Sequence, residues 1–205
     1  MAHYSQDALM LDSFNNNEDI HKRTASEIFG RDITEIDSDM RRQAKTINFG
    51  LLYGMSAFGL ANQLSVSRQE AEIFLENYFT KYSRVKEFMG EIVEKAKKDK
   101  FVSTIYGRKI HVPNIESPNY MIRQASERAA INGPLQGTAA DIIKVAMVNL
   151  ERFFKKNDFD INSILQVHDE LVFEVPEGLN QHDLKEVIDL MENSTTIDVP
   201  LKVEL

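Results

Sequence analysis

The chain has no cysteine, so it has no disulfide framework and no thiolate zinc site, a pattern that fits a reducing compartment. It also lacks a long hydrophobic run, and nothing approaches the roughly 20 apolar residues of a membrane span. Its first residues, Met1-Ala2-His3-Tyr4, form neither the basic nor the apolar part of a secretory leader. A cytoplasmic protein with no membrane partner is therefore expected. No internal repeat or low-complexity segment interrupts the sequence. What is present is ordinary globular material: 205 residues, 42% hydrophobic and 27% charged. That is room for one large domain or two small ones with a sizeable core.

The net charge of −8 hides an uneven distribution. Residues 1–39 carry a balance of −6, residues 40–156 a balance of +8, and residues 157–205 a balance of −10. Residues 81–109 alone hold 9 basic against 4 acidic side chains. Such a run describes a solvated helix face as well as a surface that tracks phosphates.

Most of the chain reads as helix. Residues 19–29 form a short amphipathic stretch stopped by Gly30. Asp37 or Ser38 can cap a helix that runs through Met40 to about Tyr53 and ends or kinks at Gly54. Ser67-Arg68-Gln69-Glu70 is a capping box opening a helix with Ala71, Phe74, Leu75 and Tyr78 on one face. Another periodic stretch covers 84–99. Residues 101–112 read as a small hairpin turning at Tyr106-Gly107-Arg108 and closed by Pro113. Helix is expected again over 119–132, broken by Gly133-Pro134, with a further helix to about 155. Residues 163–167 and 171–175 read as two strands joined across His168-Asp169-Glu170. A helix over 182–192 and an edge-like strand containing Pro200 follow. Helices first, then strands mixed with helices, give an α+β class.

Arg41, Lys45, Phe49 and Tyr53 recur at every fourth position. Each step of four turns a helix by about 400°, so the side chains form a slowly rotating stripe that rises about 18 Å. Two cations followed by two aromatics match the two ends of a nucleoside triphosphate. The cations near a helix N-terminus suit the polyanion, and the rings suit a base or sugar. The same spacing also describes an amphipathic helix with core aromatics and solvated cations.

The residues themselves resemble something more specific. Arg41-x3-Lys45-x2-Asn48-Phe49-Gly50-x2-Tyr53-Gly54 is similar to motif B, the O helix, of family A (DNA polymerase I type) DNA polymerases. The resemblance implies that Arg41 and Lys45 hold the incoming triphosphate, Lys45 also serving catalysis. It implies that Phe49 packs on the nucleotide sugar and that Tyr53 lies beside the nascent base pair. Phenylalanine rather than tyrosine at 49 implies discrimination against dideoxynucleotides. Asp19-Ile20-His21 resembles a further family element whose histidine approaches the phosphates.

Adjacent acidic residues in a turn are ordinarily solvent-loving. Held between apolar strands, Asp169 and Glu170 with His168 also form a set that suits Mg²⁺, which takes one or two carboxylates plus phosphate oxygens and water. The string from Gln166 to Glu174 resembles motif C of the same family. That implies metal-ligating carboxylates at Asp169 and Glu170 and a histidine, His168, near the primer terminus. Two Mg²⁺ ions serve phosphoryl transfer in the intact family. Residues 125–141 resemble the family's helices along the primer–template, where Arg128, Gln136 and Asn132 would contact the minor groove or backbone; minor-groove acceptors are nearly sequence-independent. Helix packing and capping explain the same residues without DNA. Gly133 stands where bacterial members commonly have alanine.

The resemblance covers essentially the whole chain, and it implies a fingers subdomain over 1–122, with its O-like helix at 38–53, and a partial palm over 123–205, with its hairpin at 163–175. The partners it implies are primer–template DNA, dNTPs and the remainder of a polymerase, namely the thumb and the motif A strand of the palm, in a bacterial, nucleoid-associated setting. In the family, motif A reads roughly Asp-Tyr-Ser-Gln-Ile-Glu-Leu-Arg and is followed closely by Met-Ala-His. Met1-Ala2-His3 resembles that following segment, so the motif A aspartate is expected to be missing from this sequence. Tyr4-Ser5-Gln6, with His3 before it and no Glu-Leu-Arg after it, matches only by coincidence. The expectation is thus a fragment of a DNA-directed DNA polymerase, catalytically incomplete alone. The alternatives are a non-catalytic DNA- or nucleotide-binding module, a plain α+β scaffold, or a Mg²⁺-dependent phosphodiesterase for which no second ligand cluster is present.

Overall fold

The computed structural model describes residues 1–204. It divides into two compact units, residues 1–137 and residues 138–205, and the division falls inside one long helix. The fold is predominantly helical with two small antiparallel hairpins, the α+β class expected from the sequence.

In the first unit, α1 (Ala2–Ser5) and α2 (Ala8–Asn15) precede α3 (Ile20–Phe29), whose N-cap is Asp19. A 3₁₀ turn at Ile33–Glu35 leads to α4 (Ser38–Leu52). Asp37 caps α4 by accepting from the backbone of Asp39 and Met40 at 2.9 and 2.8 Å. Two orphan donors of the first turn are thereby satisfied, which is why the helix starts there. α5 (Ala57–Leu64), α6 (Arg68–Lys81) and α7 (Ser83–Asp99) follow. Ser67 and Glu70 close the expected capping box.

The strands β1 (Phe101–Ser103) and β2 (Lys109–His111) pair with Val102 opposite Ile110. Their core side is shared with α7 and α8 (Tyr120–Lys156): Phe88, Ile92, Val102, Val112, Ile115 and Ile131 are buried together. A second cluster, Ala25, Ile36 and Ala44, holds α3 against α4 through small residues that let the backbones approach.

The expected break at Gly133-Pro134 does not occur; α8 runs through it. Pro134 lacks the N–H that would bond the Ala130 carbonyl. Packing keeps the helix continuous at that point. Ala130 and Pro134 are buried, and the Tyr4 hydroxyl donates to the Pro134 carbonyl at 3.2 Å. One turn on, Gly137 sits so close to the hairpin that a Cβ built there would stand 2.7 Å from Thr104 Cγ2. Arg108 Nη2 donates to its carbonyl at 2.8 Å.

Four of the nine cations in the basic run over 81–109 are ion-paired. Lys81 pairs with Glu27, Arg84 with Glu87, Lys97 with Glu94 and Lys100 with Glu116.

The second unit is built on the C-terminal part of α8, the hairpin β3 (Asn162–Val167) and β4 (Glu170–Glu174), and α9 (Gln181–Glu192). Leu150, Phe154, Ile161 and Val187 form its core, with Phe173 packed on it. The edge-like strand expected around Pro200 is absent: no strand is assigned over 194–204. The Val203 N–H bonds the Glu192 carboxylate at 3.0 Å instead of entering a ladder. Leu205, the last residue of that expected strand, lies outside the described residues.

Candidate nucleotide-binding helix and acidic hairpin

Among the described residues of α4 the buried positions are Ala44, Ile47, Asn48, Gly50 and Leu51. The opposite row leaves Lys45, Phe49 and Tyr53 outward. Phe49 is 43% and Tyr53 49% exposed, and Lys45 Nζ stands 5.8 Å from the Phe49 ring centre. Two large aromatics kept out of the core beside a cation give up burial that would stabilise the fold by about 1.5–3 kcal/mol each. These three residues line a groove of about 460 Å³ with Arg42, Thr46 and Met55. Sequence reasoning missed Arg42 and Thr46, although they occupy the neighbouring every-fourth row of the same helix. Gln63 on α5 also lines the groove and was missed as well, because α5 was not recognised as a helix.

Arg41 does not line that groove. Its Nε donates to Asp19 Oδ2 at 2.7 Å, while Asp19 Oδ1 accepts from the backbone of His21 and Lys22. Burial pushes the Asp19 carboxyl upward, but the Arg41 hydrogen bond and the two backbone donors outweigh it and hold the carboxyl below its ordinary range. His21 is half-buried beside this pair, with its ring centre 5.8 Å from that of Phe49. Burial lowers its pKa, Asp19 opposes this, and Arg41 and Lys45 reinforce it, so the ring is held toward the neutral form. The structure thus gathers His21, Arg41, Lys45 and Phe49 along one side of α4, with Tyr53 one turn beyond Phe49 as the C-cap.

Arg128, Asn132 and Gln136 recur every four residues on α8, with Arg128 and Gln136 exposed and Asn132 half-buried. The Arg128 stem lies over Gly54: a Cβ built there would meet Arg128 Cγ at 2.7 Å, and Gly54 has φ 63. Both the close approach and the left-handed backbone favour glycine.

In the second unit, Val167 pairs with Glu170, so the turn is only His168-Asp169 and Glu170 opens β4 instead of belonging to the turn. His168 adopts φ 54, a conformation uncommon outside glycine that histidine takes more readily than most. Gln166 Nε2 donates to its carbonyl at 3.2 Å. His168, Asp169 and Glu170 are all exposed. Two exposed carboxylates on adjacent residues fit one Mg²⁺ completed by water and phosphate oxygens. They do not fill a two-metal centre, and among the described residues no group of three or more His, Asp or Glu is placed to hold a metal. Every residue of β3 is exposed, with Ile164 59% and Leu165 54% accessible. A register irregularity falls between Ser163 and Leu165.

The family model for DNA polymerase family A matches residues 1–205. The chain belongs to this family. DNA polymerase I of Pseudomonas aeruginosa is 47% identical over 204 residues, 100% of this chain and 22% of the relative. That of Caldicellulosiruptor bescii is 44% identical over 207 residues, again 100% of this chain and 24% of the relative. The POL domain of Pol1 from M. smegmatis, solved in complex with DNA primer-template and dNTP, superposes with a TM-score of 0.93 at 44% identity. It covers 98% of this chain and 35% of that one. The chain therefore spans less than a quarter of the length of these two polymerase I relatives. Among the described residues no helix is long and apolar enough to cross a membrane.

Proposed function

We propose that the chain is a fragment of a DNA-directed DNA polymerase, with fingers over 1–122 and part of the palm over 123–205, working in the cytoplasm. The observation that carries this reading is the outward row Lys45–Phe49–Tyr53 along a 460 Å³ groove. A helix that serves only the core would bury those rings. In this reading Arg41, Lys45 and His21 take the triphosphate of an incoming dNTP, Phe49 its sugar, and Tyr53 the nascent pair. Arg128, Asn132 and Gln136 follow the primer–template, and His168 lies near the primer end. The primer 3′-oxygen attacks the α-phosphorus, the bond to the bridging oxygen breaks, and pyrophosphate leaves with the electron pair. Asp169 and Glu170 would hold Mg²⁺, which when bound neutralises phosphate charge. The exposed apolar residues of β3 support a partner in the remainder of the polymerase, above all the palm strand that bears motif A.

A second reading, a nucleotide- and DNA-binding module without catalysis of its own, is favoured by the lack of a third metal-binding side chain among the described residues. One set of measurements tests both. The chain is expected to bind dATP, to lose about tenfold in affinity on Lys45→Ala or Phe49→Ala, and to extend no primer alone. Both positions are exposed, so stability should move by less than about 0.5 kcal/mol. Unchanged dATP affinity in both variants sinks the first reading's site. Synthesis restored by adding a separate motif A-bearing piece would exclude the second.

A further inference from the structure

Behind His21, on the inner side of α4, lies a buried chain of polar groups. Asn48 is 8% exposed, while Thr24 and Tyr82 are fully buried. Asn48 Nδ2 is 3.1 Å from His21 Nδ1 and 3.0 Å from Thr24 Oγ1. Thr24 Oγ1 donates to Asn48 Oδ1 at 3.3 Å or exchanges a hydrogen bond with the Tyr82 hydroxyl at 3.4 Å. A primary amide has two N–H donors, so one proton serves threonine and the other faces the imidazole. An N–H donor opposite Nδ1 requires a lone pair there.

We propose that Asn48 is a positioning residue: anchored from behind by Thr24 and Tyr82, its amide fixes His21 as the neutral tautomer with its proton on Nε2. The inference rests on the nucleotide-binding reading, in which that N–H is the donor His21 offers to a phosphate. The surroundings make the tautomer matter. Asp19 faces the ring from the start of α3, while Arg41, Lys45 and Asn48 face it from α4. Burial, joined by the two cations, outweighs Asp19 and lowers the pKa of the ring, and a protonated Nδ1 would point a donor at a donor. A neutral imidazole has one N–H, so which nitrogen bears it decides whether the ring assists a phosphate or opposes it. Thr24 and Tyr82 do not touch the ligand in this arrangement; they act through Asn48.

The test is long-range ¹H–¹⁵N correlation on the ¹⁵N-histidine-labelled chain, with His21 assigned by loss of its signals in His21→Gln. The wild type is expected to show the Nε2–H form near neutral pH. Asn48→Asp, which replaces the donor by an acceptor, is expected to move the proton to Nδ1 and to weaken dATP binding roughly tenfold or more. Thr24→Val, a milder change, should leave a mixture of tautomers. The double variant His21→Gln, Asn48→Asp should lose markedly less than the product of the single losses, because the ring through which Asn48 acts is gone. Nδ1–H in the wild type, an unchanged tautomer in both Asn48→Asp and Thr24→Val, or single losses that simply multiply would overturn the proposal. A chain that shows the expected tautomer shift yet never binds dATP removes the nucleotide reading and leaves the Asn48–His21 relation standing. Nδ1–H in a chain that binds dATP does the reverse.

Discussion

Replacing Asp19 by asparagine should tighten triphosphate binding while leaving α3 folded. The two carboxylate oxygens have separate partners. Oδ1 accepts from the backbone of His21 and Lys22 at 2.9 and 3.1 Å, and Oδ2 holds Arg41 at 2.7 Å. Asparagine is as good an N-cap as aspartate, so the Oδ1 bonds survive. What is lost is an ion pair whose side chains are 42% and 36% exposed, worth about 0.2–1 kcal/mol at that exposure. The favourable charge at the helix N-terminus is worth another 0.3–1 kcal/mol or so. A stability loss of about 1 kcal/mol is expected in urea unfolding. An incoming polyanion must share or break the Asp19–Arg41 pair, so its absence returns up to about 1 kcal/mol to binding, roughly a fivefold gain. The gain should shrink as salt screens the released charge. The acid limb changes too. The Asp19 pKa is depressed by folding, so its contribution is present above the unfolded value near 3.9 and is lost as pH falls through the folded one. The variant should lack that step. Isothermal titration with dATP at low and moderate salt reads the first effect. Unchanged or weaker binding, with the fold intact, would refute the argument that Asp19 restrains Arg41.

Two further outcomes follow from the same coordinates. Gly137→Ala places a Cβ 2.7 Å from Thr104 Cγ2 and 3.0 Å from Ile110 Cδ1, an overpacking expected to cost about 1–3 kcal/mol; an unchanged urea midpoint would show that the hairpin yields without strain. The depressed pKa of His21 means that the unfolded chain takes up its proton first. Stability should therefore fall as pH drops through about 6.5 and level off below the folded value. His21→Gln should flatten that portion of the profile, and an identical slope in the variant would contradict it.

Features made by neighbours in the chain were legible. Asp37 before α4 and the Ser67–Glu70 box each act over two or three residues, so the sequence displays both partners. The outward stripe of α4 was visible for the same reason: helical periodicity alone puts Lys45, Phe49 and Tyr53 in one row. Pro134 misled because its local effect is adverse, while the contacts that keep α8 continuous come from Tyr4 and the β1–β2 hairpin. The helices α1, α2 and α5 are four to eight residues long, too short for periodicity to stand out, and Gln63 was lost with the last of them. The division of the chain within α8 also has no mark in the sequence.

The amino-acid order by itself determined the starts of α4 and α6, the cation–aromatic row, the acid pair on a hairpin and membership of the polymerase family, because each is written in residues near one another or in a motif long enough to be specific. Only the tertiary structure decided that Arg41 is held by Asp19, that His21 leans on Asn48, and that Thr24 joins Asn48 to Tyr82. Those partners are 22, 27, 24 and 58 positions apart. No periodicity spans such separations; they are set by how closely α3 packs on α4 through Ala25 and Ala44, where small side chains bring buried polar groups within hydrogen-bonding reach, and by the packing of α3 on α6, whose C-cap is Tyr82.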